Sequence, residues 1–233
     1  MDVTADLERQ IIEAIPDWIE REPDLRRRLQ NALSKTADSP PRFATFEEFI
    51  EWVDEDISAE WINGDVIIMS PASTQHQYVG GFLHHIIDFF VQKHQLGAVL
   101  QAPYKMKLEN YGPEPDLLVV LNQNKQRIQK TYLDGPADLV VEIISPESVG
   151  RDRGEKFTAY EAAGIPEYWL IDPIRQQAEF YQLGNTSRYQ FIQVGENGRY
   201  HSHILAGLWL QVDWLWLDPL PSIVDVLHQL ELI

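Results

Sequence analysis

The chain has no cysteine among its 233 residues. That excludes a disulfide framework, a thiolate metal site and a cysteine nucleophile. Long apolar runs are missing too: none approaches the roughly 18 residues that cross a bilayer, so no membrane is expected as a partner. Cations are scarce, 19 Lys plus Arg against 36 Asp plus Glu, for a net charge of −17. Such a chain does not coat nucleic acid by bulk electrostatics, because phosphate binding depends on Lys and Arg displacing counterions. A local basic groove stays open, and so does a hard-metal site, which is built from clustered carboxylates. The opening MDVTADLERQ carries acids where a secretion signal has a basic stretch and an apolar one, which predicts a cytoplasmic protein. P-loop, GxGxxG and G-x-S-x-G patterns are not found.

What is present suits a globular protein. A hydrophobic share of 44% with 11% aromatics is too high for disorder and fills one domain with an extension, or two small ones. Leu7, Ile11, Ile12, Ile15, Ile19, Leu25, Leu29 and Leu33 recur near a 3.6 period, so 1–40 reads as a helical N-terminal extension and linker. Pro16 and Pro23 interrupt it, and the Pro40-Pro41 region closes it. The rest, 41–233, reads as one domain.

Within it, Thr45 and Glu48 make a capping box for a helix to Trp52, and Asn63-Gly64 marks a hairpin between apolar runs. A longer helix covers 74–94, with Gly97 as its end signal. Strands follow over 98–108, 116–121, 137–145 and 167–171, with a helix over 154–163 before the last. A further hairpin pairs 178–183 with 189–194. The expectation is an α/β (α+β) fold, a mixed central sheet flanked by helices. The Trp-rich stretch Leu205–Leu217 is either a core-closing strand and turn or a dimer interface.

Two acids interrupt apolar strands. Asp116 opens one, and Glu142 sits inside Leu139-Val-Val-Glu-Ile-Ile144, a run that reads as buried on both faces. An ionised carboxylate there costs several kcal/mol unless it is paired or binds a metal. Asp116 and Glu142 converging would make a Mg²⁺ site; the alternative is an ion pair of Glu142 with Arg151, Arg153 or Lys156. Lys156, one turn before Tyr160, is either a solvated surface charge or, beside such carboxylates, a group that positions the attacking water. His76 either points to the site from the first turn of its helix or has no chemistry. His84 and His85 diverge, and His201 with His203 lack a third ligand.

Taken as an ordered series, these motifs resemble the Uma family of bacterial restriction endonucleases, in the PD-(D/E)XK nuclease superfamily. The series is Glu60 in Glu-Trp-Ile-Asn-Gly-Asp-Val, Met69-Ser-Pro-Ala-Ser73 with His76-Gln77, Pro115-Asp116, and Val141-Glu142-Ile-Ile-Ser-Pro146. It continues with Gly154-Glu-Lys-Phe-Thr-Ala-Tyr160, Gly164-Ile-Pro-Glu-Tyr-Trp169-Leu-Ile-Asp-Pro173 and the tail Leu205-Ala-Gly-Leu-Trp-Leu to Asp218-Pro-Leu-Pro221. The likeness spans about residues 43–228.

It implies a PD-(D/E)XK core of αβββαβ order and a Mg²⁺ (or Mn²⁺) dependent endonuclease acting on DNA, expected as a homodimer. Asp116 and Glu142 would be metal ligands, Glu60 a further acid of the site, and His76 and Tyr160 accessory positions. Ile144 stands where the superfamily places its lysine, two residues after the motif acid, and the resemblance gives that role to Lys156. Two other readings compete: a catalytically silent binding or assembly module, which suits the charge of −17, and a metal-dependent phosphoesterase on a small substrate. Lys105, Lys107, Lys125, Arg127, Lys130, Arg151 and Arg153 are the cations expected to flank a DNA site.

Overall fold

The computed structural model describes residues 40–54 and 57–233; the helical reading of the N-terminal extension, and most of its linker, lie outside them. The described residues divide into two compact units, one ending at Met69 and the other beginning at Ser70.

In the first unit, helix α1 (Phe46–Trp52) starts as its capping box predicts. The Thr45 hydroxyl accepts from the Glu48 amide at 3.2 Å, and the Glu48 carboxylate accepts from the Thr45 amide at 3.4 Å. Strands β1 (Ala59–Ile62) and β2 (Asp65–Ile68) pair antiparallel, Ile62 opposite Asp65. The two residues between them, Asn63 and Gly64, both have positive φ, 49° and 96°. That backbone matches the twist of a tight hairpin.

The second unit opens with helix α2 (Thr74–Lys93), capped by the Ser73 hydroxyl, which accepts from the His76 amide at 3.2 Å. There follow β3 (Gly97–Gln101), β4 (Lys105–Lys107), β5 (Tyr111–Gly112), β6 (Leu117–Leu121), β7 (Tyr132–Asp134) and β8 (Leu139–Ile143). Helix α3 has three parts, Val149–Arg151, a π-helical turn Asp152–Lys156, and Phe157–Ala163. After it come β9 (Glu167–Asp172), β10 (Gln177–Leu183), β11 (Tyr189–Ile192), β12 (Arg199–His201), β13 (Trp209–Gln211) and helix α4 (Ile223–Gln229). Six of these strands form a mixed sheet in the order β11-β10-β9-β8-β6-β3, parallel only between β8 and β9. Among the described residues, no helix is long and apolar enough to cross a membrane.

Several boundaries differ from expectation. The run 98–108 is two strands, because the turn at Ala102–Tyr104, closed by the Tyr104 amide on the Gln101 carbonyl, interrupts it. The helix expected from residue 154 begins at Val149. Gly97 does not end α2, which stops at Lys93. It serves β3 instead: a Cβ there would stand 2.1 Å from the Val120 carbonyl oxygen, so only glycine allows the close pairing with β6.

The two faces of β8 have opposite tasks. Leu139, Val141 and Ile143 join Val79, Phe82, Leu83 and Ile86 of α2 in the main core. Leu205, Leu208, Leu210, Trp214 and Leu215 belong to the same core, so the Trp-rich stretch closes it. Strand alternation turns Val140 and Glu142 to the other face, where α3 meets them.

Candidate active site

Asp116 precedes the first paired residue of β6. Leu117 faces Val141 and Leu118 faces Val140 across the antiparallel ladder. One further step of that register sets Asp116 opposite Glu142. The Ile143 amide donates to Asp116 Oδ2 at 2.6 Å, which fixes the carboxylate at the strand mouth. Its other oxygen lies 3.2 Å from His76 Nε2, with side chains 20% and 15% exposed. Burial works against protonating His76, but the hydrogen bond and charge of Asp116, the Ile143 backbone and the charge of Asp152 outweigh it, so its pKa rises above 6.5. His76 Nδ1 is buried and meets no hydrogen-bond partner among the described residues.

Glu142 is buried inside β8, as its strand predicts. Lys156 Nζ donates to Glu142 Oε2 at 2.9 Å, and the Tyr160 hydroxyl donates to Oε1 at 2.6 Å. The Glu142 and Lys156 side chains are 3% and 2% exposed. Lys156 is therefore not a solvated surface charge. It reaches the carboxylate because Lys156 and Tyr160 stand one turn apart on α3, whose buried face lies on this side of the sheet. Of the cations weighed for Glu142, the ion pair shown here is with Lys156.

The structure thus brings Glu142, Lys156 and Tyr160 together and sets Asp116 with His76 on the adjacent strand and helix. Glu60 belongs to the first unit, where it lies on β1, fully buried. Sequence reasoning missed Asp152 and Ser148. Asp152 Oδ1 is 3.5 Å from Lys156 Nζ, and the Ser148 hydroxyl donates to Asp152 Oδ2 at 2.5 Å. The spacing of four between Asp152 and Lys156 was the available signal, but on most helices it marks a solvated pair.

The cations expected around the site divide. Lys105 is committed to Glu114 at 2.6 Å with both side chains buried. Arg153 donates to Glu179 from two nitrogens, at 3.1 and 2.6 Å, and Arg127 donates to the Pro136 carbonyl at 2.7 Å. Lys107 lies 3.9 Å from Asp134. Lys125 and Lys130 are exposed.

A divalent cation fits the donor chemistry here. Asp116 and Glu142 are hard oxygen donors in facing register, and Mg²⁺ commonly takes one or two carboxylates while keeping several waters. Among the described residues, no group of three or more carboxylate or imidazole side chains gathers as a cage would require. The residues that could hold a cation are these two carboxylates, and both oxygens of Glu142 also accept from Lys156 and Tyr160.

Comparison with known proteins adds three findings. The model of the Uma2 family, described as "Putative restriction endonuclease", matches residues 46–213. The "Uncharacterized protein sll1609" of Synechocystis sp. is 23% identical over 143 residues, 60% of this chain and 80% of that protein. A crystal structure from Anabaena variabilis, described as "a putative nuclease belonging to DUF820", matches with a TM-score of 0.64 at 18% identity. That match covers 74% of this chain and 97% of the other, and it speaks for the fold alone.

Proposed function

The chain belongs to the Uma2 family, and from that premise we propose that it is a Mg²⁺ (or Mn²⁺) dependent endonuclease that hydrolyses DNA phosphodiester bonds. The sheet supports a PD-(D/E)XK core: α2, β3, β6, β8, α3 and β9 follow in αβββαβ order. The neighbour of the same fold described as a nuclease agrees with this reading.

One observation carries the proposal. The superfamily's lysine position holds Ile144, yet an ammonium reaches the motif acid from the next helix, Lys156 Nζ at 2.9 Å from Glu142. In this reading Asp116 and Glu142 hold the cation, which when bound polarises the phosphate and lowers the pKa of water. The Ile143 amide and His76 orient Asp116; Tyr160 and Lys156 orient Glu142. Lys156 also places positive charge where the pentacovalent phosphate accumulates negative charge, and it aligns the attacking water. A homodimer would present two such sites to the two strands.

A silent binding or assembly module is the second reading. The internal commitments of Lys105, Arg127 and Arg153 favour it, since they reduce the cations left for DNA. A phosphoesterase on a small substrate would need fewer cations still. Supercoiled plasmid incubated with Mg²⁺ or Mn²⁺ separates the three. Nicking by the wild type that falls at least about 100-fold in Glu142→Ala and Lys156→Ala supports the endonuclease. Equal nicking by all three proteins means a contaminant, and no nicking beside hydrolysis of a small phosphodiester moves the assignment to the phosphoesterase.

A further inference from the structure

Asp152 is a buried acid to which the mechanism above gives no task. It is 1% exposed, and with Lys156 it supplies the buried residues of the π-helical turn Asp152–Lys156. Its carboxylate accepts from the Ser148 hydroxyl at 2.5 Å and makes an ion contact, longer than a hydrogen bond, with the Lys156 ammonium at 3.5 Å. Its backbone carbonyl accepts from the Tyr168 hydroxyl at 3.0 Å. Ser148 is itself fixed: its amide donates to Ser145 Oγ at 3.1 Å, and the Ser145 amide donates to Ser148 Oγ at 2.9 Å. The Tyr168 ring meets Tyr160 edge-on with centroids 5.1 Å apart. A closed circuit therefore runs from Glu142 through Tyr160, Tyr168, Asp152 and Lys156 back to Glu142.

Stability alone is a poor account of this circuit. Buried ion pairs and triads are commonly no better than apolar residues of the same volume, because desolvation cancels the attraction. Single π-helical turns are rare and recur at functional sites. What two carboxylates do for one ammonium is geometric. A lysine on a flexible four-carbon stem can swing about a single partner. Nζ here lies between a carboxylate on β8 and one on its own helix, which narrows the positions open to it, and reactions of this kind are sensitive to such placement.

We propose that Asp152, braced by Ser148, is a positioning residue that fixes the Lys156 ammonium against Glu142 for the hydrolytic step. It acts through Lys156 and does not touch the substrate. The inference rests on the endonuclease reading of the same site.

The test uses the full chain in Mg²⁺-supported plasmid nicking with melting curves alongside. Asp152→Asn keeps the size of the side chain and an acceptor for Ser148 but offers Lys156 no charge. It lowers kcat about 100-fold, with KM for DNA changed by less than about twofold, as expected for a displaced catalytic group. Asp152→Glu restores at least about tenfold of that loss, and Ser148→Ala costs about fivefold. A merely structural Asp152 instead lowers the melting midpoint and leaves kcat per folded molecule unchanged. Folded Asp152→Asn with wild-type kcat, or Asp152→Glu no better than Asp152→Asn, overturns the proposal. Should Asp152→Asn not fold, Ser148→Ala decides, and wild-type kcat there overturns it equally. A wild type no more active than Glu142→Ala fails the endonuclease reading first and this proposal with it. With an active wild type beside an inactive Glu142→Ala, the endonuclease reading stands and the Asp152 variants alone decide the positioning role.

Discussion

Two buried glutamates stand on neighbouring strands of the same sheet and are held in opposite ways. Glu142 on β8 meets a cation and a phenol, Lys156 and Tyr160, with Asp116 across the ladder. Glu167 on β9 accepts from five neutral donors: Trp169 Nε1 at 2.6 Å, the Tyr200 hydroxyl at 2.7 Å, the Ser202 hydroxyl at 3.0 Å, and the His203 and Ile204 amides at 2.9 and 2.7 Å. A carboxylate has about four lone-pair sites, so Glu167 is saturated. It pins the segment after β12 to the central sheet. Glu142 is gripped instead by a buried ammonium and a phenol from the helix packed over its strand. Glu167 is a saturated acid that anchors chain to chain, whereas Glu142 shares its cation with a second carboxylate, Asp152.

Substitution can break that contrast. The largest effect is expected for Glu142→Gln, where nicking falls at least about 1,000-fold while the melting midpoint hardly moves, because Asp152 still matches the charge of Lys156. Glu167→Gln should reverse the pattern. Its amide nitrogen must face either the Trp169 indole or the His203 and Ile204 amides, none of which can accept, which costs about 3 kcal/mol or more in a denaturant titration, with kcat per folded molecule retained. Equal behaviour of the two variants would erase the distinction. The triple change Glu142→Leu, Lys156→Met and Asp152→Leu sharpens it: no activity, and stability unchanged or raised by about 1–4 kcal/mol, as when a buried charged triad yields to apolar packing.

The smallest effect concerns His76 in protein treated with chelator. Its pKa is raised in the fold above 6.5, with Asp116 overcoming the opposing burial. The protonated form is therefore the stabilised one. Its contribution is full below pH 6.5 and is lost as the pH climbs through the raised native value. His76→Ala should flatten the stability–pH curve in that window, and an unchanged slope would show that the pair with Asp116 contributes nothing.

Local signals were the legible ones. The Thr45–Glu48 capping box, the Asn63-Gly64 turn and the apolar stripe of α2 each depend on residues a few positions apart, and each is where the sequence places it. Glu142 was legible as an anomaly, since an acid inside Leu-Val-Val-Glu-Ile-Ile demands a partner. Which partner was not, because Lys156 reaches it only once α3 folds back on the sheet. Glu167 belongs to one of the motifs, but its buried role was not legible, since four of its five donors come from residues 200–204. Asp152 reads as half of an ordinary exposed pair until α3 is seen to bury that face. Lys105 misled in the other direction, since its commitment to Glu114 joins positions nine apart across a turn of chain.

The central claim is that Asp116 and Glu142 together form the seat of a dication. Calorimetric titration of Mn²⁺ into the wild type, Asp116→Ala, Glu142→Ala and Glu167→Gln tests it most directly. The account predicts one saturable site in the wild type and in Glu167→Gln, and its loss in the other two. Heat of binding that is missing from the wild type, or that survives in Asp116→Ala or Glu142→Ala, would contradict it.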